Sequence, residues 1–168
     1  MRTLPLIAAS LATLCLALFA LNGCGKPDPG ELTDAGHSAL GSGDYRAAYD
    51  KFDAALKAFE PSDPRALEAE LGRCRAQAHL EPEAAKARFL ELSATTRLQE
   101  MDYNQIVSEL KSAGERKAAI EVLAAGITKF PETTNLVALR DKIGAEAEAA
   151  GDTDALDDLK GLGYVGDD

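Results

Sequence analysis

Two stretches of the chain that begin 71 residues apart share one pattern of small and apolar residues, and this recurrence restricts the fold most. The shared positions are a glycine, an alanine five residues later and a large apolar residue four residues after that: Gly43, Ala48 and Phe52, then Gly114, Ala119 and Leu123. The 71 residues from Gly43 to Gly114 correspond to two periods of about 34 residues, plus three residues. Because self-similarity at such a period is typical of stacked repeats, the pattern predicts an array of similar units.

The first of these stretches has the apolar spacing of an amphipathic helix. Its apolar residues recur at steps of three and four: Tyr45, Ala48, Tyr49, Phe52, Ala55, Leu56 and Phe59. Gly43 suits the left-handed end of a preceding helix, and Asp44 suits the N-cap of this one. Ala, Leu, Glu, Lys and Arg dominate the chain and Trp is absent, which favours helices throughout. We therefore predict an all-α fold.

The spacing resembles the tetratricopeptide-repeat (TPR) family over residues 31–131. Two units fit well, and a degenerate unit lies between them. The matching positions are Leu32, Ala35-Gly36, Ala39, Ala48, Phe52 and Pro61, then Leu71-Gly72, Ala85 and Phe89, then Tyr103, Ile106-Val107, Leu110, Ala119, Leu123 and Pro131. The resemblance implies a short α-solenoid of about three TPR-like helical hairpins. The alternative is an ordinary helical bundle.

The matched positions have mechanical roles in such an array. Gly36, Gly72 and the matched alanines allow neighbouring helices to approach closely, and Phe52 and its counterparts fill the space between hairpins. The pattern fades after Pro131, so residues 132–168 are expected to form C-terminal capping helices and an acidic tail. The last short helix is predicted to end at Gly161.

The N-terminus has the layout of a secretory signal. Residues 1–23 carry Arg2 and then an apolar core from Leu4 to Leu21. The sequence Leu-Asn-Gly-Cys that ends at Cys24 resembles the lipobox of bacterial lipoprotein precursors. The resemblance implies cleavage before Cys24 and acylation of its thiol, which would anchor the protein firmly. The alternative is an uncleaved membrane helix, because 18 apolar residues approach the spanning length.

Residues 24–30 are rich in Gly and Pro, and they predict a lipidated, helix-incompatible tether. The domain would then lie close to the membrane, on the periplasmic side. No acidic residue directly follows Cys24, and by the sorting rule of enteric bacteria this favours the outer membrane.

The charge balance argues against nucleic acid as a partner. Asp and Glu total 28 and Lys and Arg total 18, for a formal charge of −10. A body of this charge repels phosphate backbones. If Cys15 is removed with the signal and Cys24 is acylated, Cys74 is the one thiol left. It cannot form an internal disulfide, and we expect it to be buried and inert.

The residues give little indication of catalysis or metal binding. His37 and His79 lie 42 residues apart, without Cys or carboxylates at metal-ligand spacing, and solvated or groove-lining roles are expected for both. The acidic segment at residues 151–158 lacks the order of a calcium loop and is expected to be a capped helix. We expect no enzymatic activity, no cofactor and no metal site.

The resemblance to the TPR family implies that protein segments bind along the concave face formed by the first helix of each hairpin. By this resemblance, the partner-binding residues of this chain would be His37, Arg73, Gln77, Asn104, Ser108 and Lys111. The carboxylate clamp of the family is absent from the first unit, and Arg73 and Lys111 suggest a polar or mildly acidic partner. We expect a lipid-anchored scaffold or adaptor of the bacterial envelope. The alternatives are a structural or self-associating lipoprotein and, as a third possibility, an enzyme or small-ligand binder with a deep pocket.

Overall fold

The computed structural model describes residues 27–166, and this part of the chain contains helices and no strand. The prediction of an all-α fold is confirmed for these residues. Short connections of two to seven residues join successive helices. The helices are α1 (Pro29–Gly41), α2 (Tyr45–Ala58), α3 (Ala66–Gln77), α4 (Pro82–Thr95), α5 (Glu100–Ser112), α6 (Arg116–Lys129), α7 (Thr134–Ala150) and α8 (Thr153–Lys160). None of them, within residues 27–166, has the length and hydropathy of a membrane span.

Helix α1 begins earlier than the sequence indicated. The Asp28 carboxylate caps it by accepting hydrogen bonds from the N–H groups of Gly30 and Glu31 at 2.8 and 3.1 Å. Pro29 lies in the first turn, where the missing N–H is tolerated and the fixed φ angle favours the helix. The prediction of a helix-incompatible tether over residues 24–30 is therefore wrong for its last two residues.

Three interhelical turns close in the same way. Gly43, Gly114 and Gly151 have positive φ angles of 79°, 86° and 67°, which favour glycine. The residue after each glycine donates its N–H to the carbonyl five residues earlier, at 2.9 to 3.0 Å. Asp44 and Asp152 then cap the next helix through the N–H group three residues on. The expected helix stop at Gly43 is confirmed, and the α7–α8 turn has the same geometry.

The ring of Phe52 packs against α1 and α3 at two glycines. A Cβ atom added at Gly36 would lie 2.7 Å from the ring, and one added at Gly72 would lie 2.5 Å from it. These distances are too short for any side chain, so both glycines are required for the close approach. The close approach predicted at Gly36 and Gly72 is therefore present, with the Phe52 ring as the group that contacts both. Ala48 and Ala85 are also fully buried.

Polar contacts between helices recur at a separation close to one repeat. Five side-chain pairs join residues 34 to 36 positions apart: Arg75–Glu109, Lys86–Glu121, Glu100–Asn135, Lys111–Glu146 and Arg116–Asp152. The helices follow the same order, because each odd-numbered helix contacts the next odd-numbered one, α4 contacts α6, and α6 contacts α8. Residues one period apart therefore lie beside each other.

The core is divided into two clusters by α3. The N-terminal cluster consists of Leu40, Ala48, Phe52, Ala55, Phe59, Ala69 and Ala76. The C-terminal cluster is larger and includes Phe89, Tyr103, Ile106, Leu110, Leu123, Leu136, Ile143 and Leu159. Helix α3 supplies Ala69 and Ala76 to the first cluster and Cys74 to the second. It is the helix that joins the two halves.

The C-terminal residues fold back on α7. Helix α8 ends at Lys160, as expected, but the left-handed residue is Gly163, with φ 85°, because Gly161 is still in a helical conformation. The Tyr164 ring fills the space where a side chain at Gly144 would lie. Gly144 and Tyr164 therefore pack as Gly36 and Phe52 do. Packing of an aromatic ring on a glycine thus recurs within residues 132–168, where the sequence pattern fades.

Candidate functional site

The structure does not bring the six predicted partner-binding residues together into one site. Cys24, the predicted lipidation site, lies outside the described residues. The two basic residues of the set are occupied by internal carboxylates. Arg73 donates to Glu70 at 2.9 Å and to Asp53 at 3.2 Å, and Lys111 donates to Glu146 at 2.7 Å. Both are mostly buried, so neither presents a free charge to a partner.

The other four predicted residues have different surroundings. The His37 ring packs edge-on against Phe52, with 5.0 Å between ring centroids, and its Nε2 lies 3.2 Å from a Glu68 carboxylate oxygen. Gln77 donates to Glu81 at 3.3 Å. Asn104 is partly buried and Ser108 is exposed on α5. Of the six, His37 and Asn104 line the concavities described next.

An open concavity of about 450 Å³ lies across α1, α3 and α5. We call it the groove. Apolar side chains of α3 and α5 form part of its lining, and polar and charged groups surround them. The lining residues are His37, Pro64, Leu67, Glu68, Leu71, Gly72, Arg75, Arg97, Gln99, Met101, Asp102 and Gln105. The groove thus runs across the first three odd-numbered helices.

A second concavity continues the groove towards α7. It shares Gln99 and Met101 with the groove and adds Glu100, Asn104, Asn135 and Ala138. Met101 lies at the junction, and its side chain is 61% exposed. Only one other large hydrophobic residue of the described chain, Val165, is exposed. Met101 is thus the exposed large apolar side chain of the groove, and the partly buried Leu67 and Leu71 lie in the same lining.

Most charged groups of the groove already have partners. Arg75 donates to Glu109 at 2.9 Å, and Asp102 accepts the N–H of Gln99 at 2.7 Å. Arg97 is different, because it is exposed and no carboxylate within residues 27–166 pairs with it. The lining of the groove therefore includes one cation without a carboxylate partner among residues 27–166 and one exposed apolar side chain.

The sequence did not indicate the central residues of this groove. Met101 precedes Asn104 by three residues, so it lies on the same face of α5, and this helical spacing was the available signal. Arg97 lies in the connection before α5 and belongs to no periodic pattern. Its position beside Met101 results from the fold of that connection.

His79 has a structural role that differs from the expected solvated or groove-lining one. Its ring stacks on Tyr45 with 3.6 Å between centroids and an interplanar angle of 2°. Its Nε2 lies 2.9 Å from a Glu109 carboxylate oxygen, and only 9% of the side chain is exposed. The residue thus links α2, α3 and α5 at one end of the helices. The sequence correctly predicted that His79 lies near a turn, but it did not indicate its partners, Tyr45 and Glu109.

Cys74 is buried in the C-terminal cluster, as expected. Burial raises the pKa of its thiol to about 12, because the thiolate would lose its hydration. At neutral pH the side chain is therefore an uncharged thiol packed among apolar neighbours. Such a group is a poor nucleophile.

The acidic segment around α8 is engaged in helix capping. Asp152 accepts the N–H of Ala155 at 3.1 Å and pairs with Arg116. The backbone hydrogen bond and the Arg116 guanidinium lower the pKa of this carboxyl group. In the part of the chain that the structure describes, no three His, Cys, Asp or Glu side chains are grouped as metal ligands would be.

No family model, curated protein or solved structure matches this chain.

Proposed function

We propose that the protein is a non-enzymatic, lipid-anchored scaffold or adaptor of TPR-like build that binds protein segments in the bacterial cell envelope. The groove with Met101 and Arg97 carries this proposal, because it is open, elongated and lined by several helices. Such a surface suits an extended peptide or a helix of a partner protein. The partner segment binds along α1, α3 and α5.

Four observations support a TPR-like solenoid over an irregular bundle. The interhelical turns at Gly43, Gly114 and Gly151 share one geometry. Phe52 packs between glycines of successive first helices, and polar pairs join residues 34 to 36 positions apart. Odd-numbered helices contact odd-numbered ones in sequence. In this arrangement α7 and α8 form a fourth, shortened hairpin that acts as the C-terminal cap.

The anchoring part of the proposal depends on the lipobox-like sequence before Cys24. With α1 starting at Pro29, residues 25–28 are the whole connection between the lipid and the domain. Four residues span at most about 14 Å, so the domain stays close to the periplasmic face of the outer membrane. The start of α1 would be its membrane-proximal point.

Groove binding is tested by affinity capture from envelope extracts with the full-length protein. Met101→Lys and Arg97→Glu change exposed groove residues and leave the internal ion pairs intact. Arg46→Glu is the matched control, because Arg46 is an exposed arginine of α2, outside the groove lining. We expect one or more proteins captured by the wild type and the control to be lost with both groove variants. Identical captured proteins from all four would contradict the proposal.

Anchoring is tested separately with Cys24→Ser. We expect the wild type in the outer-membrane fraction, with acyl chains on an N-terminal cysteine by mass spectrometry. The variant should keep its signal and lack acyl chains. An unmodified wild-type polypeptide in the soluble fraction would contradict the anchoring part of the proposal. It would not bear on binding in the groove.

A second candidate function is self-association as a structural lipoprotein. The observation that favours it is the presence of two exposed large hydrophobic side chains, Met101 and Val165, in different parts of the described chain.

A further inference from the structure

We infer that Val165 and the acidic residues after it dock into the groove of a second copy of this chain, at Met101 and Arg97. The inference uses the same groove as the proposed function but goes beyond it. It names an occupant, which partner proteins must displace.

The C-terminal segment is held so that Val165 projects. The Tyr164 ring lies in the slot at Gly144, and Arg140 donates to the Leu162 carbonyl at 2.9 Å. Val165 comes directly after this anchored part and is 88% exposed. The sequence then continues with Gly166, Asp167 and Asp168, which places two carboxylates just after an exposed apolar residue.

The groove has the complementary features. Met101 is 61% exposed, and the partly buried Leu67 and Leu71 lie in the same lining. Arg97 is the groove cation that lacks a carboxylate among the described residues. An apolar side chain followed by carboxylates would cover Met101 and pair with Arg97 at the same time. Met101 and Arg97 are thus the counterparts of Val165 and of the carboxylates after it, in a lining that also contains Glu68 and Asp102.

The occupant comes from another copy because the Val165 segment is held on its own α7, in a concavity that shares no lining residue with the groove or its continuation. Val165 lines a concavity with Arg140 and Ala145, whereas Met101 lies in the groove and its continuation at Ala138. Tyr164 and Arg140 hold the segment on its own α7. Donor and acceptor surfaces differ, so the contact is heterologous, and copies join head to tail in a closed ring or an open row.

Membrane anchoring makes such a weak contact effective. In solution, copies with a charge of −10 repel each other, and a short segment binds weakly. Copies confined to one bilayer with similar orientation have a higher effective concentration. We therefore expect rings or rows that lie parallel to the membrane.

The test is photo-crosslinking in membranes of cells that express two differently tagged copies of the full-length protein. One copy carries benzoylphenylalanine in place of Met101. We expect cross-linked dimers, with the cross-link mapped by mass spectrometry to residues 165–168 of the other copy. Val165→Ser in that copy should lower the yield about fivefold, since one buried apolar side chain is worth roughly 1 kcal/mol or more.

A charge swap tests the electrostatic part. Arg97→Glu, and separately the pair Asp167→Lys and Asp168→Lys, should each reduce the cross-link about fivefold. The combination of the two changes, in acceptor and donor, should restore it. Arg46→Glu should leave the yield unchanged. Arg97 and Arg46 are exposed, so the circular dichroism of the variants at these two positions should be unaltered.

The inference would be overturned by the absence of a dimer, by a cross-link to another region, or by a cross-link within one polypeptide only. A charge swap that fails to restore the yield would do the same. These failures are distinct from failure of the proposed function. Groove variants that lose an envelope partner while no dimer forms would leave the adaptor proposal standing.

Discussion

The ring of Phe52 lies between two helices because Gly36 and Gly72 have no side chain. A methyl group at position 72 would lie 2.5 Å from the ring. We expect Gly72→Ala to lower the free energy of unfolding by about 1–2 kcal/mol, because overpacking outweighs the gain in helix propensity. Urea denaturation of the purified protein measures this difference.

Gly41→Ala is the matched control. Gly41 also lies in a helix, but no atom is within 4 Å of the added methyl group. It should be neutral or stabilise by up to about 1 kcal/mol. Phe52→Leu should partly rescue Gly72→Ala, since the third unit combines the larger Val107 with the smaller Leu123. Equal losses from the two glycine variants would contradict this account of the packing.

Cys74 has a pKa of about 12 in the folded protein, because burial disfavours the thiolate. An unfolded thiol has a pKa of about 8.5. Folding therefore gains stability from burial of the neutral Cys74 thiol. This gain is fully present below pH of about 8.5 and is lost as the pH rises towards about 12, the pKa of the thiol in the folded protein. At pH 9 we expect iodoacetamide to modify Cys74 at least about tenfold more slowly in native protein than in urea. Mass spectrometry of the peptide that contains Cys74 gives both rates.

Ser108→Cys provides the exposed thiol for comparison, because Ser108 lies on the surface of α5. In the same native sample it should react at the rate of a free cysteine. If Cys74 reacts as fast as this introduced thiol, the site is accessible and the raised pKa is wrong.

Helix α3 is buried on several sides and contains a charged network at the boundary of the two core clusters. Glu70 accepts from Arg73 at 2.9 Å and from Arg88 at 2.5 Å, and 10% of its side chain is exposed. Glu70→Ala would leave two guanidinium groups without this carboxylate. We expect a loss of about 2–3 kcal/mol in the free energy of unfolding, measured by urea denaturation.

Glu91→Ala is the control for this network. Glu91 also pairs with Arg88, but 66% of its side chain is exposed. Water replaces such a partner readily, so the loss should be less than about 0.5 kcal/mol. Similar losses in the two variants would show that the burial of Glu70 has little effect on the free energy of unfolding.

Local signals predicted the helices well and their partners poorly. The apolar spacing of α2, the stop at Gly43 and the cap at Asp44 follow from local backbone chemistry, and the structure has all three. The sequence pattern did not predict the start of α1, because Pro29 and Gly30 have low helix propensity in the interior of a helix. In fact the Asp28 carboxylate makes them suitable for a first turn.

Side-chain pairing between helices depends on how each helix is rotated about its axis and shifted along its neighbour. The sequence does not give these values. Arg73 and Lys111 have the right positions for a binding face, yet each meets a carboxylate of a neighbouring helix. Arg97 lies in the connection before α5, where no carboxylate of residues 27–166 pairs with it. Whole-molecule packing therefore decides which cations are available to a partner.

The molecule as a whole has unequal halves. In the described residues the N-terminal cluster contains 7 buried residues and the C-terminal cluster contains 20, and α3 contributes to both. Because stability follows the buried apolar surface, the smaller half should open without the larger one. Helices α1 and α2 form the part that opens.

Native-state hydrogen exchange of the purified protein tests this difference. We expect opening free energies for amides of α1 and α2 that are at least about 1 kcal/mol lower than those of α5 and α6. Phe52→Leu should lower the first set and leave the second unchanged, because Phe52 belongs to the N-terminal cluster. If the variant lowers both sets equally, the chain unfolds as one cooperative unit. In that case α3 transmits the loss across the charged network around Glu70 to the larger cluster.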